Sequence, residues 1–447
     1  MLPDSLKNNL SKALPYLIGI SIPSLVIGPA VMGIVLGIST VLLFCYPKQE
    51  KMFSFVKKSF SSPLTITLII MLVFWFTSSM LSIDPIRSLE KWLRTIVLII
   101  FSLFIYGRFA EEEHDRVIAI KTMVISTALV AILLGILMVG QKLYYQQIIL
   151  FGNWINWSRD SFSLCLFTHC DLSKYKDFSQ VLICLLPIII FSLKAESKRF
   201  RWLILSSIPF IIWIALYTET KSAALGAICG IIFLAIWLLI KKIKEKYAPI
   251  LILLLLISLV FSTISFIKLL PQDVELKNSP NGKREYNMPF NIIGEHRQII
   301  WSFSYDRFLQ RPWLGFGPDV SGDIPGAKET IKSWHPSKYE KENPNWTENQ
   351  RNFWNQEYIP SHPHSWLFEL MVETGFLGLV VFLITLFHFF YTVFQKSLSR
   401  MTLSLILLNG IYWSIGLVSF SFWSARWQIV YLLLTALLLS VQKKERR

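Results

Sequence analysis

The amino-acid sequence predicts an all-α protein that crosses a membrane about twelve times. Hydrophobic residues make up 53% of the 447 residues and charged residues only 16%, too few for the surface of a soluble protein of this length. Apolar runs of about 17–25 residues recur along the chain, which is the length that a helix needs to cross about 30 Å of hydrocarbon. The runs are continuously apolar and lack the alternation of β-barrel strands, which excludes that class.

Twelve apolar runs qualify as membrane spans. The first two are short and are interrupted by Pro15, Pro23 and Pro29, so the count is about twelve. The predicted spans are 13–27, 29–46, 63–82, 89–106, 117–139, 179–194, 202–218, 222–240, 248–269, 365–391, 402–420 and 427–441.

The distribution of positive charge predicts the orientation of the spans. A formal net charge of +15 would suggest nucleic-acid binding in a soluble protein. Here, however, every second loop is richer in Lys and Arg, which is the pattern of a helical membrane protein whose positive loops face the cytoplasm. The basic loops contain Lys48–Lys58, Arg108–Arg116, Lys194–Arg201, Lys241–Lys246, Lys396–Arg400 and Lys443–Arg447. The pattern places both termini in the cytoplasm and argues against a nucleic-acid partner.

Two loops depart from this regular pattern by their size, and both are predicted on the extracytoplasmic side. Residues 140–178 mix aromatic and charged residues, which is typical of an interfacial segment, and they interrupt the first nine spans (1–269). Residues 270–364 form one long polar loop, and residues 365–447 hold the last three spans and a cytoplasmic tail. A connection as long as 270–364 is a natural place for a binding site.

Three stretches on this side of the predicted bundle contain residue types that can bind a substrate or catalyse a reaction. The first stretch, Lys221-Ser222, comes directly after the end of a predicted span. The last stretch, His362-Pro-His364-Ser365, lies at the end of the long loop and continues into a predicted helix. Between them lies a stretch with two parts, Arg297-Gln-Ile-Ile-Trp301 and Arg311-Pro-Trp-Leu-Gly315-Phe-Gly317.

In this order, the stretches resemble the O-antigen ligase and O-antigen polymerase family of bacterial envelope glycosyltransferases. The family pattern of His, then Ser, Asn or Gln, nine residues and Gly-x-x-Gly is matched by His364, Ser365, Gly375 and Gly378. The element Ser82-Ile-Asp84 is also similar to one of the family. At Lys221 the chain departs from the family, which usually has Arg there.

The resemblance implies a GT-C-like membrane glycosyltransferase in the bacterial inner membrane, with its active site facing the periplasm. It implies transfer of a glycan from an undecaprenyl-diphosphate carrier to a sugar hydroxyl of lipid A–core, without metal or cofactor and with inversion. Donor, acceptor and membrane lipids would be the partners. Protein O-oligosaccharyltransferases and polysaccharide polymerases share the motifs, so both remain alternatives. A transporter is disfavoured because the charged motif residues collect at one face and the chain shows no internal repeat.

The physical chemistry of this transfer suggests roles for the motif residues. An attacking hydroxyl needs a proton acceptor, for which His364 is suited, and a diphosphate leaving group needs positive charge, for which Arg297 offers a planar fork. We therefore predict His364 and Arg297 as catalytic residues. The predicted substrate-binding residues are Lys221, Arg311, Arg426 and Glu373.

Structural alternatives stand beside these roles. Lys221 would also suit an interfacial anchor, and Glu373 would also suit a purely structural pair with a buried basic residue. Glu369 lies four residues earlier on the same helix face. We predict no metal site: Asp273-Val-Glu275 is a single acidic pair in a charged linker, whereas a divalent ion on a diphosphate needs converging carboxylates.

Overall fold

The computed structural model describes residues 10–46, 49–59, 61–151, 173–192, 197–218, 220–243, 245–269, 276–278, 284–286, 295–330 and 355–441. Fourteen α-helices lie within these ranges. In chain order they are α1 (Leu14–Ser21), α2 (Pro29–Phe44), α3 (Gln49–Ser59), α4 (Pro63–Met80), α5 (Pro85–Glu111), α6 (Glu113–Phe151), α7 (Ser173–Ser192), α8 (Lys198–Tyr217), α9 (Lys221–Lys242), α10 (Ala248–Leu269), α11 (Glu295–Gln310), α12 (Trp366–Phe394), α13 (Arg400–Gly416) and α14 (Ala425–Val441).

Short elements complete the description. Single 3₁₀ turns occur at Pro23–Val26, Glu245–Tyr247 and Ser321–Asp323. Strands β1 (Leu276–Asn278) and β2 (Arg284–Tyr286) form an antiparallel pair in the long loop, with Leu276 opposite Tyr286.

Each of the twelve predicted spans coincides with a helix, and seven described helices are long and apolar enough to cross a membrane. The seven cover Pro63–Met80, Pro85–Glu111, Glu113–Val139, Lys198–Tyr217, Lys221–Lys242, Glu245–Thr263 and Trp366–Phe394. Two shorter apolar helices, Pro29–Phe44 and Ala425–Ser440, accompany them. The all-helical membrane fold is therefore confirmed. Helix α3, and α11 within the long loop, were not predicted from the apolar pattern.

Local sequence explains where several helices begin. Ser62 and Asp84 each accept a hydrogen bond from the backbone N–H three residues later, and each is followed by proline at the first helical position. Proline suits that position because its missing N–H has no helical partner there. Helix α5 consequently begins immediately after the Ser82-Ile-Asp84 element.

Contacts between loops divide the molecule into two ends. At one end, Tyr46 donates to Glu112, Arg116 donates to the Ser440 carbonyl, and Lys241 donates to the carbonyls of Phe394 and Lys396. These residues all border the basic loops. At the other end, the loops that precede α5, α9, α12 and α14 meet one another and the long loop. The two sets of loops are those that the charge pattern separates.

Helix α12 is broken at Gly375, where φ is +68° and ψ is −171°. A continuous helix would place Trp366 and Phe382 about 24 Å apart along its axis, at 1.5 Å per residue. Their ring centroids instead lie 5.6 Å apart, so the chain folds back at Gly375. The sequence predicted one uninterrupted span over 365–391, and this expectation was wrong. The second segment, 376–394, is about 28 Å long, which by itself approaches the thickness of the hydrocarbon layer.

The first segment of α12 packs against the long loop. Residues 365–375 are all buried, whereas Phe376 is 48% exposed. Trp301 of α11 stacks on Phe368 of this segment, with ring centroids 5.4 Å apart. The hydrophobic cluster around this pair includes Phe316 and Val372. Helix α11 and the first segment of α12 therefore form one packed unit on top of the bundle.

Candidate functional site

The turn His362-Pro363-His364 lies between the long loop and α12, and three hydrogen bonds fix its shape. The Trp301 indole donates to the Pro363 carbonyl at 2.9 Å. The backbone N–H of His364 donates to Nδ1 of His362 at 3.0 Å, and the His364 ring bonds through Nδ1 to the Ser419 carbonyl at 3.0 Å. His364 has a φ of +55°, in the left-handed region that residues other than glycine seldom adopt.

The hydrogen bond to Ser419 determines the tautomer of His364. A carbonyl only accepts, so Nδ1 carries the proton and Nε2 presents its lone pair. Within the described residues Nε2 has no hydrogen-bond partner. Burial lowers the pKa of His364, and the charge of Arg297 and the neighbouring His296 lower it further. At neutral pH the ring is therefore a neutral base with a free Nε2.

Arg297 lies in the first turn of α11, near this ring. Its charge lowers the pKa of both His362 and His364, and burial lowers the pKa of the Arg297 guanidinium itself. No carboxylate of the described residues forms an ion pair with it. Burying a charge without a counter-ion is costly, so a half-buried cation that no described carboxylate neutralises makes this position attractive for an anionic ligand.

The linker 417–424 between α13 and α14 joins the parts of the site. The Gln180 amide contacts both the Ser222 and Ser419 hydroxyl oxygens at 2.6 Å. Ser222 directly follows Lys221, and Ser419 holds the His364 ring through its carbonyl. The start of α9 is therefore connected to His364 through the buried Gln180 and the half-buried Ser419.

Lys221 and Arg426 belong to the same end of the bundle as His364. Lys221 is exposed at the first position of α9. Arg426, in the first turn of α14, pairs with Asp177 of α7 at 2.7 Å, and its Nε has no hydrogen-bond partner among the described residues. Asp177 precedes Gln180 by one helical turn. These two cations thus border the polar connection that leads to His364.

Arg311 lies apart from Arg297. Arg297 lies in the first turn of α11 and Arg311 directly follows its last residue, so fourteen helical steps separate the two residues by about 21 Å. Arg311 is exposed, and its guanidinium lies 4.9 Å from the centre of the Phe316 ring. The structure thus brings Arg297, and not Arg311, to the histidine turn.

Glu373 is completely buried, and its carboxylate holds two loops. Oε2 accepts the Asp319 N–H at 2.8 Å and also the Trp423 indole N–H, while Oε1 accepts the Ser321 N–H at 2.9 Å. Glu369, one turn earlier, is also completely buried. The two carboxylates tie the first segment of α12 to the loops around it. The contacts of Glu373 are structural, but within the described residues its partners are N–H donors and not the buried base that the structural alternative expected.

Within the described residues, the Glu369 carboxylate forms its hydrogen bonds with the 417–424 linker. Its Oε1 accepts the Ser421 hydroxyl and its Oε2 accepts the Phe422 N–H, both at 2.6 Å. Because the linker also supplies the Ser419 carbonyl to His364, Glu369 helps to place that carbonyl. No pattern in the sequence indicates the linker, whose residues lie 50 or more positions from the residues near α12 that they contact.

The break at Gly375 explains why two glycine motifs occur together. The Phe376 and Leu377 N–H groups donate to the carbonyls of Pro312 and Trp313, at 2.7 and 3.2 Å. In return, the Val372 and Glu373 carbonyls accept the N–H groups of Phe316 and Gly317, at 3.0 and 2.8 Å. The loop 312–317 thus replaces the helical hydrogen bonds that the break removes.

Glycine is required where these backbones touch. A Cβ on Gly315 would lie 2.4 Å from the Glu373 carbonyl carbon, and a Cβ on Gly375 would lie 2.4 Å from that of Trp313. Both residues also have positive φ. The Arg-Pro-x-x-Gly-x-Gly and Gly-x-x-Gly stretches are therefore two sides of one contact.

The Ser82-Ile-Asp84 element supports the same loop from α4 and α5. The Ile83 N–H donates to the Phe316 carbonyl at 3.0 Å, and Ser88 donates to the Pro318 carbonyl at 2.8 Å. Arg87 forms ion pairs with Asp319 at 3.2 Å and with Asp323 at 2.6 Å. This element thus positions the loop and lies away from the histidine turn.

The described residues contain no cluster of three or more His, Cys, Asp or Glu side chains able to hold a metal ion. Nδ1 of His362 already accepts the His364 N–H, so the two imidazoles do not form an open pair of ligands. Asp273 and Glu275 lie outside the described residues.

Comparison with known proteins agrees with the motifs. Residues 205–383 match a family model described as O-antigen ligase. Over this stretch the chain is similar to the O-antigen ligase family. The stretch contains Lys221, Arg297, Arg311, His364 and Glu373, whereas Arg426 lies beyond it. The resemblance that the sequence motifs indicate is confirmed.

Several rickettsial proteins, provisionally named polysaccharide ligases, are similar over most of the chain. The protein of Rickettsia typhi is 23% identical over 81% of this chain and 76% of its own length. Those of Rickettsia felis and Rickettsia prowazekii are each 23% identical over 79% of this chain and 74% of their own length. No solved structure matches this chain.

Proposed function

We propose that the protein is an O-antigen ligase-type glycosyltransferase of the bacterial inner membrane. It moves a glycan from undecaprenyl diphosphate to a sugar hydroxyl of lipid A–core, with about twelve spans and its site on the periplasmic side. The O-antigen ligase family of residues 205–383 supports the reaction class. The separation of basic loops from the loops around His364 supports the orientation.

One observation carries this proposal: among the described residues, a neutral histidine whose Nε2 has no hydrogen-bond partner lies near a half-buried arginine that no carboxylate neutralises. A base next to an uncompensated cation suits a reaction in which a hydroxyl loses its proton while a diphosphate leaves. Lys221 and Arg426 add positive charge at the same end of the bundle, where they would bind the outer part of the donor.

The proposed step is a single displacement. The acceptor O–H gives its proton to Nε2 of His364 while its oxygen forms a bond to the anomeric carbon of the donor glycan. The bond between that carbon and the diphosphate oxygen breaks, and Arg297 stabilises the charge on the departing undecaprenyl diphosphate. Attack opposite the leaving group inverts the configuration at the anomeric carbon.

A gene deletion in the native host tests the function. We expect long-chain polysaccharide to disappear from lipid A–core while the polymer accumulates on its carrier, and wild-type protein should restore the ligated product. Polysaccharide of one repeat unit on lipid A–core in the deletion strain would instead identify a polymerase and overturn the proposal.

Two biochemical measurements test the finer points. Transfer by the purified protein should persist in excess EDTA. Loss of activity that magnesium or manganese restores would contradict a metal-independent mechanism and would direct attention to Asp273 and Glu275. Cysteine labelling in intact cells should reach positions 320–330 and not positions 241–246, and labelling of both on one side would contradict the topology.

A further inference from the structure

The backbone of His364 is held in a conformation that its own residue type does not favour. Its φ of +55° lies in the left-handed region, where the side chain of an L-residue approaches its own backbone. The neighbouring residue on its N-terminal side is proline, which restricts the turn further. Some contact must therefore stabilise this conformation, and the backbone N–H of His364 identifies it.

That N–H donates to Nδ1 of His362 at 3.0 Å, and the two ring centroids lie 4.2 Å apart. We propose that His362 is a positioning residue, whose Nδ1 holds the His364 backbone so that the His364 ring meets the Ser419 carbonyl. The inference rests on the proposed function, in which His364 is the base.

The protonation state of His362 agrees with this role. Nδ1 must stay unprotonated in order to accept a hydrogen bond. Burial lowers the pKa of His362 to about 3, with the charges of His364 and Arg297 acting in the same direction. The ring therefore remains an acceptor throughout the physiological range and does not compete with His364 for the proton of the acceptor hydroxyl.

His362 and Trp301 hold different parts of the turn. The Trp301 indole holds the Pro363 carbonyl, which fixes the middle of the turn, while Ser419 holds the far side of the His364 ring. Among the described residues, only the bond from His362 acts directly on the backbone of His364. Loss of this bond would let the backbone relax to negative φ and would move Nε2 away from the reacting hydroxyl.

Two isosteric substitutions separate the role of Nδ1 from that of Nε2. Asparagine places its carbonyl oxygen one bond from Cγ, where Nδ1 lies, and glutamine places its oxygen one bond farther, where Nε2 lies. His362→Asn should keep most of the transfer activity. His362→Gln and His362→Ala should reduce kcat about a hundredfold, the loss that a displacement of about 1 Å causes, with little change in KM for the donor. His114→Ala, at a side chain that is 85% exposed, is the matched control.

The pH profile distinguishes positioning from damage to the fold. In His362→Ala, water reaches His364, so its pKa rises toward the ordinary value and the acid limb of the kcat profile moves to higher pH. His362→Asn should keep the wild-type limb. Loss of folded protein alone would lower the plateau and leave the limb in place.

A measurement without substrate separates this inference from the proposed function. Diethyl pyrocarbonate modifies neutral imidazole, and mass spectrometry reports the rate at His364 alone. The rate should be equal in wild type and His362→Asn and higher in His362→Gln and His362→Ala. Equal rates in all four proteins would overturn the positioning role, whether or not the protein transfers glycan. If the modification rates differ between the variants as expected but the wild-type protein transfers no glycan, only the proposed function is overturned.

Discussion

The two buried carboxylates of α12 should respond in opposite ways to the same substitution. The Glu373 carboxylate accepts three N–H donors, from Asp319, Ser321 and Trp423. None of these groups can turn into an acceptor. In Glu373→Gln, the amide oxygen replaces Oε2 and keeps two donors, so the amide NH₂ must face the Ser321 N–H.

The cost follows from these contacts. A buried N–H left without an acceptor costs about 1–3 kcal/mol, and a neutral oxygen weakens the two remaining bonds, so the total is on the order of 3 kcal/mol. Glu369 faces one N–H, from Phe422, and one hydroxyl, from Ser421. The hydroxyl can reverse and accept from the new amide, so Glu369→Gln should cost only on the order of 1 kcal/mol.

Unfolding by SDS in mixed micelles measures this difference. The two residues lie on one helix, are equally buried and receive the same substitution, so each serves as the control for the other. The free energy of unfolding should fall clearly more in Glu373→Gln than in Glu369→Gln. Equal losses, or a greater loss at Glu369, would refute the assignment of donors to these carboxylates.

Three further predictions follow from the site. Gly375→Ala should destabilise the protein strongly and abolish transfer because its Cβ would meet the Trp313 backbone, whereas Gly33→Ala, with no atom near the new Cβ, should unfold like wild type. Lys221→Arg should keep transfer and Lys221→Ala should lose roughly a hundredfold in rate if the residue supplies charge to the donor; wild-type rates for folded Lys221→Ala would show an interfacial anchor. Because burial, Arg297 and His296 lower the pKa of His364, kcat should stay at its plateau below pH 6.5 and decline only as the pH falls through that lowered pKa; a decline beginning above pH 7 would contradict this.

The helices could be predicted because the apolar residues of a membrane-spanning helix follow one another in the sequence. A span must be apolar over its whole length, so all twelve predicted runs coincide with helices. Helix α11 was not predicted because it lies in a polar loop and its own sequence mixes apolar residues with charged and polar ones. The break at Gly375 escaped as well, since glycine is common within membrane helices and does not by itself indicate a break.

The motif residues could be identified, but their contacts could not. Arg297 and His364 are 67 positions apart, and their segments are brought together by the stacking of Trp301 on Phe368 and by the hydrogen bond from Trp301 to the Pro363 carbonyl. Glu373 was expected to bind substrate or to form a structural pair, and its three donors come from two loops that no local pattern connects to α12. Ser419 was missed because its carbonyl, and not its side chain, holds His364.

The central claim is that His364 removes the proton of the acceptor while Arg297 stabilises the departing diphosphate. Single-turnover transfer from a synthetic undecaprenyl-diphosphate glycan to lipid A–core measures both roles in purified protein. His364→Gln should bind the donor with wild-type affinity and transfer at least about a hundredfold more slowly, because general base catalysis contributes roughly 10²–10⁴-fold. Arg297→Lys should be much more impaired than Lys221→Arg, because a point charge does not replace a fork. Transfer by folded His364→Gln at the wild-type rate would contradict the account.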